Sequence, residues 1–215
     1  MARPKVPLIS RRKALEAALE IVDTEGLDAL SIRRLGEALN VNGASLYHHF
    51  RNKDEILAGV TRLALADAAA PPAGNENWRI WLTRGAHRIR QALISHPELI
   101  PVVLRRAPLG LGLEENEARV RRLRAGGVPL PMIAPLLEGL ELLAIASALQ
   151  EVGQNGLLVD GDGETAVPAL HAAVEARGMS SEDLFEVMVS SLISVVESTV
   201  RLKEPRLAAE RLSKA

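Results

Sequence analysis

Hydrophobic residues recur at helical spacing along most of the chain. Near its start, Leu15, Ala18, Leu19 and Val22 follow the i, i+3, i+4, i+7 spacing of one face of an amphipathic helix. A glycine at position 26 ends this pattern. No useful length of the sequence alternates with a period of two, so the pattern predicts a protein built of α-helices.

Three further short helices are expected before residue 71. Ser31 is placed to cap a second helix, and the turn signal at 40–43 separates that helix from a third. Asn52 and Glu55 stand three residues apart, a capping-box pattern that opens a fourth helix. We expect the fourth helix to end before the prolines at 71 and 72, because proline rings interrupt helices.

The helices expected after residue 77 are longer and more apolar. The pattern places them at 78–96, 97–106, 114–125, 131–151 and 181–203. The helices 131–151 and 181–203 each carry two apolar rows, so they are apolar nearly all round and must be covered on most sides. A second subunit would cover them across a two-fold interface, whereas small neighbouring helices could do so within one chain. The dimer interpretation assigns the interface to Leu142, Ile145, Leu149, Phe185, Val189, Leu192 and Val196.

Composition excludes several classes of protein. The 215 residues are 47% hydrophobic and include no cysteine, so disulfides, cysteine nucleophiles and thiolate zinc sites are impossible. The longest uncharged apolar stretch, 142–149, is far shorter than the roughly 20 residues that span a bilayer, and no signal-peptide core precedes it. No nucleophile–base pair, carboxylate pair or metal-ligand spacing stands out. We therefore expect a soluble cytoplasmic protein that is not an enzyme and that needs no cofactor or metal.

Charge is distributed unevenly in a chain whose formal net charge is −1. Residues 1–62 have 10 Lys and Arg against 8 Asp and Glu, a balance of +2, and the remainder has 16 against 19, a balance of −3. The basic residues of the first fifteen positions face no acid and are Arg3, Lys5, Arg11, Arg12 and Lys13. They predict either a polyanion-binding arm or a solvated terminus. In the helix 114–125, four arginines lie beside three glutamates, which favours a solvated face over a second basic patch.

The segment 31–53 reads SIRRLGEALNVNGASLYHHFRNK and predicts a helix-turn-helix. Its apolar residues would be buried between two short helices and are Leu35, Leu39, Val41 and Leu46. The outward residues of the second helix are Asn42, Ser45, Tyr47 and His48, with Arg33 and Lys53 on its flanks. Short polar and aromatic side chains of this kind reach base edges and phosphates in a major groove.

The run TEGLDALSIRRLGEALNVNGASLYHHFRNKDEIL, residues 24–57, resembles the DNA-binding head of the TetR family of one-component regulators. The resemblance rests on the Gly26 turn, the small residue Ala38, and the string LYHHF followed by Asn52 and Lys53. It implies a homodimer that acts on a palindromic operator of double-stranded DNA. Each subunit would have a three-helix DNA-binding head over 1–56 and a larger helical body for effector binding and dimerisation over 57–215.

The same resemblance implies a set of DNA-binding residues. They are Arg33, Asn42, Gly43, Ala44, Ser45, Tyr47, His48, His49 and Lys53. Tyr47, His49 and Lys53 fall on phosphate-facing positions, although Tyr47 and His49 could instead be packing residues. Gly43 departs from the small or polar residue that the family commonly has there, and it offers no side chain for base readout.

From Trp78 onward the chain resembles the C-terminal domain of the tetracycline-repressor branch of this family. The resemblance lies in a helix led by tryptophan, the string ALISHPEL, a Gly-Gly stop before a proline-opened helix, and a long final helix. It implies an effector pocket among the helices that begin at Trp78, Pro97 and Pro131. Candidate wall residues, each of which could equally be ordinary core, are Trp81, His87, Ile89, Val103, Leu104, Leu136 and Leu140.

The effector itself is expected to be apolar. Antibiotic–metal recognition in this branch uses histidines and polar groups near the end of the helix that here begins at Pro97. This chain instead has Val102, Val103 and Leu104 at that place, which argues against a metal-chelated tetracycline.

Two classes of function remain at this point. The first is a ligand-responsive transcriptional regulator, normally a repressor, whose partners are operator DNA, a small-molecule effector and a second copy of the chain. The second is an all-helical carrier or enzyme in which the helix-turn-helix has no role with DNA.

Overall fold

The chain folds into α-helices throughout the part that the computed structural model describes, residues 9–69, 74, 76–105, 112–153 and 168–212. This confirms the all-α prediction. The residues Arg3 and Lys5 of the basic arm and the prolines at 71 and 72 lie outside the described residues. The helices are α1 Arg11–Glu25, α2 Ile32–Ala38, α3 Gly43–Leu46, α4 Lys53–Ala64, α5 Ala66–Ala69, α6 Trp78–Ser95, α7 Ile100–Leu104, α8 Leu113–Ala125, α9 Leu130–Gly153, α10 Pro168–Glu175 and α11 Ser181–Leu212.

Side-chain caps begin the first helices, as the sequence predicted. Ser31 Oγ accepts a hydrogen bond from the Arg34 N–H at 3.0 Å, and Asn52 Oδ1 accepts one from the Glu55 N–H at 2.9 Å. In a simple capping box the glutamate side chain accepts a hydrogen bond from the N–H of the cap residue itself, and the cap at Asn52 differs in this bond. Glu55 Oε2 accepts it from the N–H of Arg51, the residue before Asn52, at 2.9 Å.

Helices α1 to α4 form a small head around one apolar core. Leu35 of α2 and Leu46 of α3 are buried against each other's helices, and Phe50 is buried in the link to α4. On α4, Gly59 lies so close to α1 that a Cβ atom there would meet Leu15 Cδ2 at 2.5 Å. The close approach of α1 and α4 therefore fixes how these two helices pack within the head.

The tight turn between α2 and α3 depends on the conformation of Asn40 and on the small size of Gly36. Asn40 adopts a positive φ of 51°, a left-handed conformation that asparagine tolerates. The Val41 N–H bonds the Gly36 carbonyl at 2.9 Å and the Asn40 N–H bonds the Glu37 carbonyl at 3.1 Å, which together form a Schellman motif. At Gly36, a Cβ would lie 3.0 Å from the Val41 carbonyl oxygen and 3.4 Å from the Gly43 nitrogen. Both neighbours are backbone atoms, so a larger residue here would have to push the backbone of the turn aside by a few tenths of an ångström.

We expect Gly36→Ala to lower the free energy of unfolding by about 1–2 kcal/mol, because overpacking against backbone outweighs the gain of alanine in a helix. Gly43→Ala is the matched control, since a Cβ there meets nothing nearer than Ile32 Cγ2 at 3.5 Å. Urea unfolding followed by circular dichroism measures both variants. A Gly36→Ala protein as stable as the Gly43→Ala protein would contradict the steric argument.

Helices α6, α9 and α11 form the centre of a larger body, where α9 contacts both of the other two. Their buried side chains include Trp81, Leu93, Leu137 and Phe185. Two helices differ from prediction. The expected fourth helix breaks at Leu65 into α4 and α5, and the expected helix at 97–106 is a 3₁₀ turn over Pro97–Leu99 followed by the short α7.

The predicted dimer residues fall on two different faces, and most of that prediction is wrong. Leu142 and Leu149 are exposed, as an interface row requires. The residues that are instead buried within the single chain are Ile145, Phe185, Val189 and Val196, and Leu192 is half-buried against Gly139. The opposite row of α11 faces outward, with Val187 51% and Val195 59% exposed. The physical reason is that α6 and α9 occupy the Phe185 side of α11.

Helix α9 is also the one described helix that length and composition alone would allow to cross a membrane. Its most apolar window has a mean hydropathy of 1.7, and 44% of that window is buried within the chain. Core helices of soluble proteins share these properties, and α9 packs on α6, α8 and α11. Length and composition alone therefore do not distinguish α9 from the core helix of a soluble protein.

Candidate DNA-binding surface and effector-binding body

Helix α3 presents its polar side to the outside of the head. Ala44, Ser45 and His48 are exposed, and the Tyr47 ring is 61% exposed, which excludes the alternative that Tyr47 is a buried packing residue. Leu46 alone of the helix is buried and holds it against the core. The predicted outward residues thus share one uncovered surface.

Asn42 has a structural role within this surface. Its side chain is exposed, and its Oδ1 atom accepts a hydrogen bond from the Ala44 N–H at 3.0 Å, which caps α3. The Nδ2 donors are the part of this side chain that can be offered to a base or phosphate. Gly43, directly after it, is half-buried beside Ile32.

An open depression of about 660 Å³ lies between α2 and α3. Residues predicted to bind DNA line it together with residues of the turn between α2 and α3. The full lining is Ile32, Arg33, Gly36, Glu37, Asn40, Val41, Asn42, Gly43, Ala44 and Tyr47. The Arg33 side chain is 89% exposed at its edge, with Glu37 Oε1 3.7 Å from its Nε. So exposed an ion pair is weak, and the guanidinium is available to a phosphate.

Lys53 and His49 are placed differently from the other predicted residues. Lys53 Nζ is part-buried and donates to the Leu27 carbonyl at 2.6 Å, which ties the start of α4 to the turn before α2. Its remaining donors are those that could face a phosphate. The His49 ring is half-buried beside Phe50, with 6.2 Å between ring centroids. Both residues therefore also stabilise the head.

Sequence reasoning treated Arg11 only as part of a basic arm, and the structure gives it a definite place. Arg11 Nη2 pairs with Glu55 Oε1 at 3.0 Å, and its guanidinium lies 5.0 Å from the Phe50 ring centroid. The pKa of the Glu55 carboxyl is lowered by the Arg51 backbone N–H first and by Arg11 second. Arg11 thus joins α1 to the start of α4. No signal in the sequence indicated this pairing.

Most of the predicted effector-pocket residues lie in the core of the body. Trp81, Ile89, Val103, Leu136 and Leu140 are buried in the core of the body. Leu104 differs from them, because it is 54% exposed. It lies at the last residue of the short α7, where the chain leaves the core.

His87, the predicted polar anchor, pairs with α11 instead of facing inward. Its Nε2 lies 2.5 Å from Glu186 Oε2, and its ring meets Phe185 edge-on with 5.0 Å between centroids. The side chain is about one-third exposed. The histidine therefore connects α6 to α11 on the outer side of the body. No group of three His, Asp or Glu side chains gathers at a metal-binding distance within the described residues.

Head and body meet through polar and apolar contacts near the end of α6. His96 Nδ1 lies 2.8 Å from Asp23 Oδ2 of α1. Helix α4 contacts α7, and α1 contacts the 3₁₀ turn at Pro97–Leu99. A change in the body can therefore reach the head both through α4 and through α1.

Comparison with known proteins agrees with this architecture over both halves. Residues 14–60 match the family model for bacterial regulatory proteins of the tetR family, and residues 70–200 match the tetracyclin repressor-like C-terminal domain. The class E tetracycline repressor of Escherichia coli is 26% identical over 188 residues, which cover 86% of this chain and 89% of that protein. Its class D counterpart is 26% identical over 94% of this chain and 92% of that protein.

Solved structures give the same result. A TetR variant from Acinetobacter baumannii AYE, solved with minocycline, has a TM-score of 0.67 at 26% identity and covers 89% of this chain and 98% of its own. ActR from Streptomyces coelicolor, solved with actinorhodin, has a TM-score of 0.70 at 26% identity over the same shares. The head with its uncovered α3, the helical body and the two matching family models together establish that this chain belongs to the TetR family of bacterial regulatory proteins.

Proposed function

We propose that this chain is a cytoplasmic repressor that binds a palindromic operator as a homodimer and is released by a small, largely apolar effector. The observation that carries the proposal is the uncovered polar surface of α3, where Tyr47 is 61% exposed beside Ser45 and His48. A large aromatic ring so exposed on a four-residue helix contributes nothing to the core. It is well suited to contact a DNA backbone and base edges.

The homodimer is supported by the outward apolar row of α9 and α11. The exposed residues of this row are Leu142, Leu149, Val152, Val187 and Val195. Isolated exposed aliphatic residues need no explanation, but several on two contacting helices form a patch that a second copy can cover. Two heads held by such a dimer would enter successive major grooves about 34 Å apart.

Release would follow from a shift between two arrangements of the heads. An effector can favour release only if it binds the DNA-incompetent arrangement more tightly than the competent one. The contacts of α4 with α7, and of Asp23 with His96, give the body a physical connection to the head. The relatives solved with minocycline and actinorhodin support a body that accepts polycyclic ligands.

Binding to operator DNA should depend steeply on salt. If a dimer neutralises on the order of 8 phosphates, the logarithm of its association constant should fall against the logarithm of salt concentration with a slope near −7. Removing the charge of Lys53 with Lys53→Met should flatten that slope by about two units, one for each subunit of the dimer, on every DNA sequence alike. Fluorescence anisotropy over 50–300 mM salt measures the slope.

Arg121→Met provides a control, because Arg121 is 76% exposed on α8 of the body and pairs with Glu117. The control should keep the wild-type slope. A Lys53→Met protein with an unchanged slope would show that this ammonium serves only its bond to Leu27.

A gel shift with the DNA upstream of the chain's own gene tests the proposed function as a whole. We expect a complex at moderate salt that survives excess competitor DNA of unrelated sequence. Failure to prefer any sequence, also in selection from a random DNA pool, would favour the all-helical carrier or enzyme.

A further inference from the structure

The start of α1 lies beside the link from α3 to α4, next to the uncovered surface of α3. Arg11 Nε donates to the His49 carbonyl at 3.4 Å, and Arg11 Nη2 pairs with Glu55 Oε1 at 3.0 Å. His49 lies just after the end of α3, and Glu55 lies in the first turn of α4. Arg11 therefore holds the first turn of α1 at the side of the head where α3 ends and α4 begins.

The two segments that meet there carry an excess of positive charge. Residues 10–16 and 51–55 contain five cations and three acids, a balance of +2, although the whole chain has a formal net charge of −1. A local excess of cations on a nearly neutral protein attracts a polyanion to that place. This charge adjoins the surface of α3 that is proposed to enter a major groove.

The cations of these segments differ in how they are balanced. Arg11 and Arg12 each pair with a glutamate, at 3.0 Å and 2.9 Å. Lys13 and Arg51 are exposed, and no ion pair within the described part of the chain involves either of them. The charged groups of Lys13 and Arg51 are therefore available to a partner outside the chain.

The stability of α1 does not account for the cations in its first turn. Arg11, Arg12 and Lys13 are the first three residues of the helix, and no acid lies in that turn. The partial positive charge at the start of a helix favours acids there and disfavours cations. An external anion bound by these side chains would offset that unfavourable interaction.

We propose that Lys13 and Arg51 form a second contact with operator DNA, in which each side chain binds a backbone phosphate beside the major groove that α3 enters. This inference rests on the proposed function and extends its DNA surface to α1 and to the link between α3 and α4. The resemblance to a known family assigned neither residue to DNA. Contacts to phosphates position a protein on the duplex and add affinity without reading bases.

The experiment measures the salt dependence of DNA binding for Lys13→Met and for Arg51→Met, using fluorescence anisotropy on the full-length protein. The probes are a duplex of the DNA upstream of the chain's own gene and a scrambled duplex of equal length and composition. Each variant should flatten the slope on the upstream duplex by about two units, because a dimer loses two phosphate contacts. The ratio of affinities for the two duplexes should stay within about twofold of the wild-type ratio.

Arg62→Met is the matched control. Arg62 is exposed in the last turn of α4, about 14 Å along that helix from Lys53. Its removal should keep the wild-type slope. Ser45→Ala, on the uncovered side of α3, should instead reduce the preference for the upstream duplex and leave the slope nearly unchanged.

Thermal unfolding without DNA separates phosphate binding from a structural role. The midpoint of Lys13→Met should not fall below that of the wild type, because the substitution removes a cation from the start of α1. Arg51→Met should keep the wild-type midpoint, because its side chain is exposed and its backbone N–H still bonds Glu55 Oε2. A structural cation would lower the midpoint when removed.

Three results would overturn the inference. They are an unchanged slope in either variant, a flattening of equal size in Arg62→Met, and a flattened slope accompanied by a lowered midpoint. Any of these in a protein that still prefers its upstream DNA would refute this inference alone. Absence of a preference for any DNA sequence would refute the proposed function, and absence of all DNA binding would refute both.

Discussion

Replacing Val195 with aspartate is expected to dissociate the proposed homodimer and to weaken operator binding by about 10²–10⁴-fold, the gain that linking two binding modules provides. Val195 is 59% exposed on α11 and belongs to the same outward row as Val187. At a two-fold interface each substitution occurs twice, so two carboxylates would be buried without partners. Within the monomer the aspartate stays in water, and the fold should remain intact.

Analytical ultracentrifugation and anisotropy with operator DNA measure the two effects. Ile80→Asp is the matched control, because Ile80 is 62% exposed and lies on α6 rather than on α9 or α11. It should leave the dimer and its affinity for DNA unchanged. A Val195→Asp protein that remains dimeric would mean that the subunits, if they pair at all, do so through another surface.

The complementary substitution, Phe185→Ala, should act on folding of the single chain. Its ring is fully buried and touches both the His87 ring and the Arg90 guanidinium. Deleting a buried phenylalanine costs about 3–5 kcal/mol, because apolar contacts are lost and a cavity remains. Urea unfolding at fixed protein concentration measures the loss.

Ser190→Ala, at an exposed position of the same helix, should change the unfolding free energy by less than about 0.5 kcal/mol. If Phe185 were an interface residue, its loss would shift the dissociation constant of the dimer rather than the stability of the monomer. The two measurements therefore distinguish a side chain that stabilises the single chain from one that stabilises the dimer.

Helix positions in this chain were predictable from sequence because their signals are local. The caps at Ser31 and Asn52 use atoms three residues apart, and the glycines that stop α1 and α8 act within one turn. The orientation of α9 and α11 was not predictable by the same means. Both helices carry apolar residues nearly all round, so periodicity does not choose which row faces the core.

The candidate DNA surface rests on a more specific sequence signal than the effector site does. The segment 31–53 combines a short polar helix with a tight turn, and its resemblance to a known family is specific. The tight fit at Gly36 depends on the Val41 carbonyl across the turn, which the spacing of apolar residues does not reveal. The burial of Arg119 depends on how α8 packs on α9, since neighbouring Arg121 in the same run is 76% exposed.

The bond between His96 and Asp23 has a consequence for engineering chimaeric sensors. A designer who grafts the first four helices onto the body of another relative transfers α4 but separates Asp23 from its imidazole partner. Such a hybrid would keep the helix-turn-helix intact but would lose a polar contact that joins α1 of the head to the body. An exchange of heads between relatives should therefore transfer both Asp23 and His96.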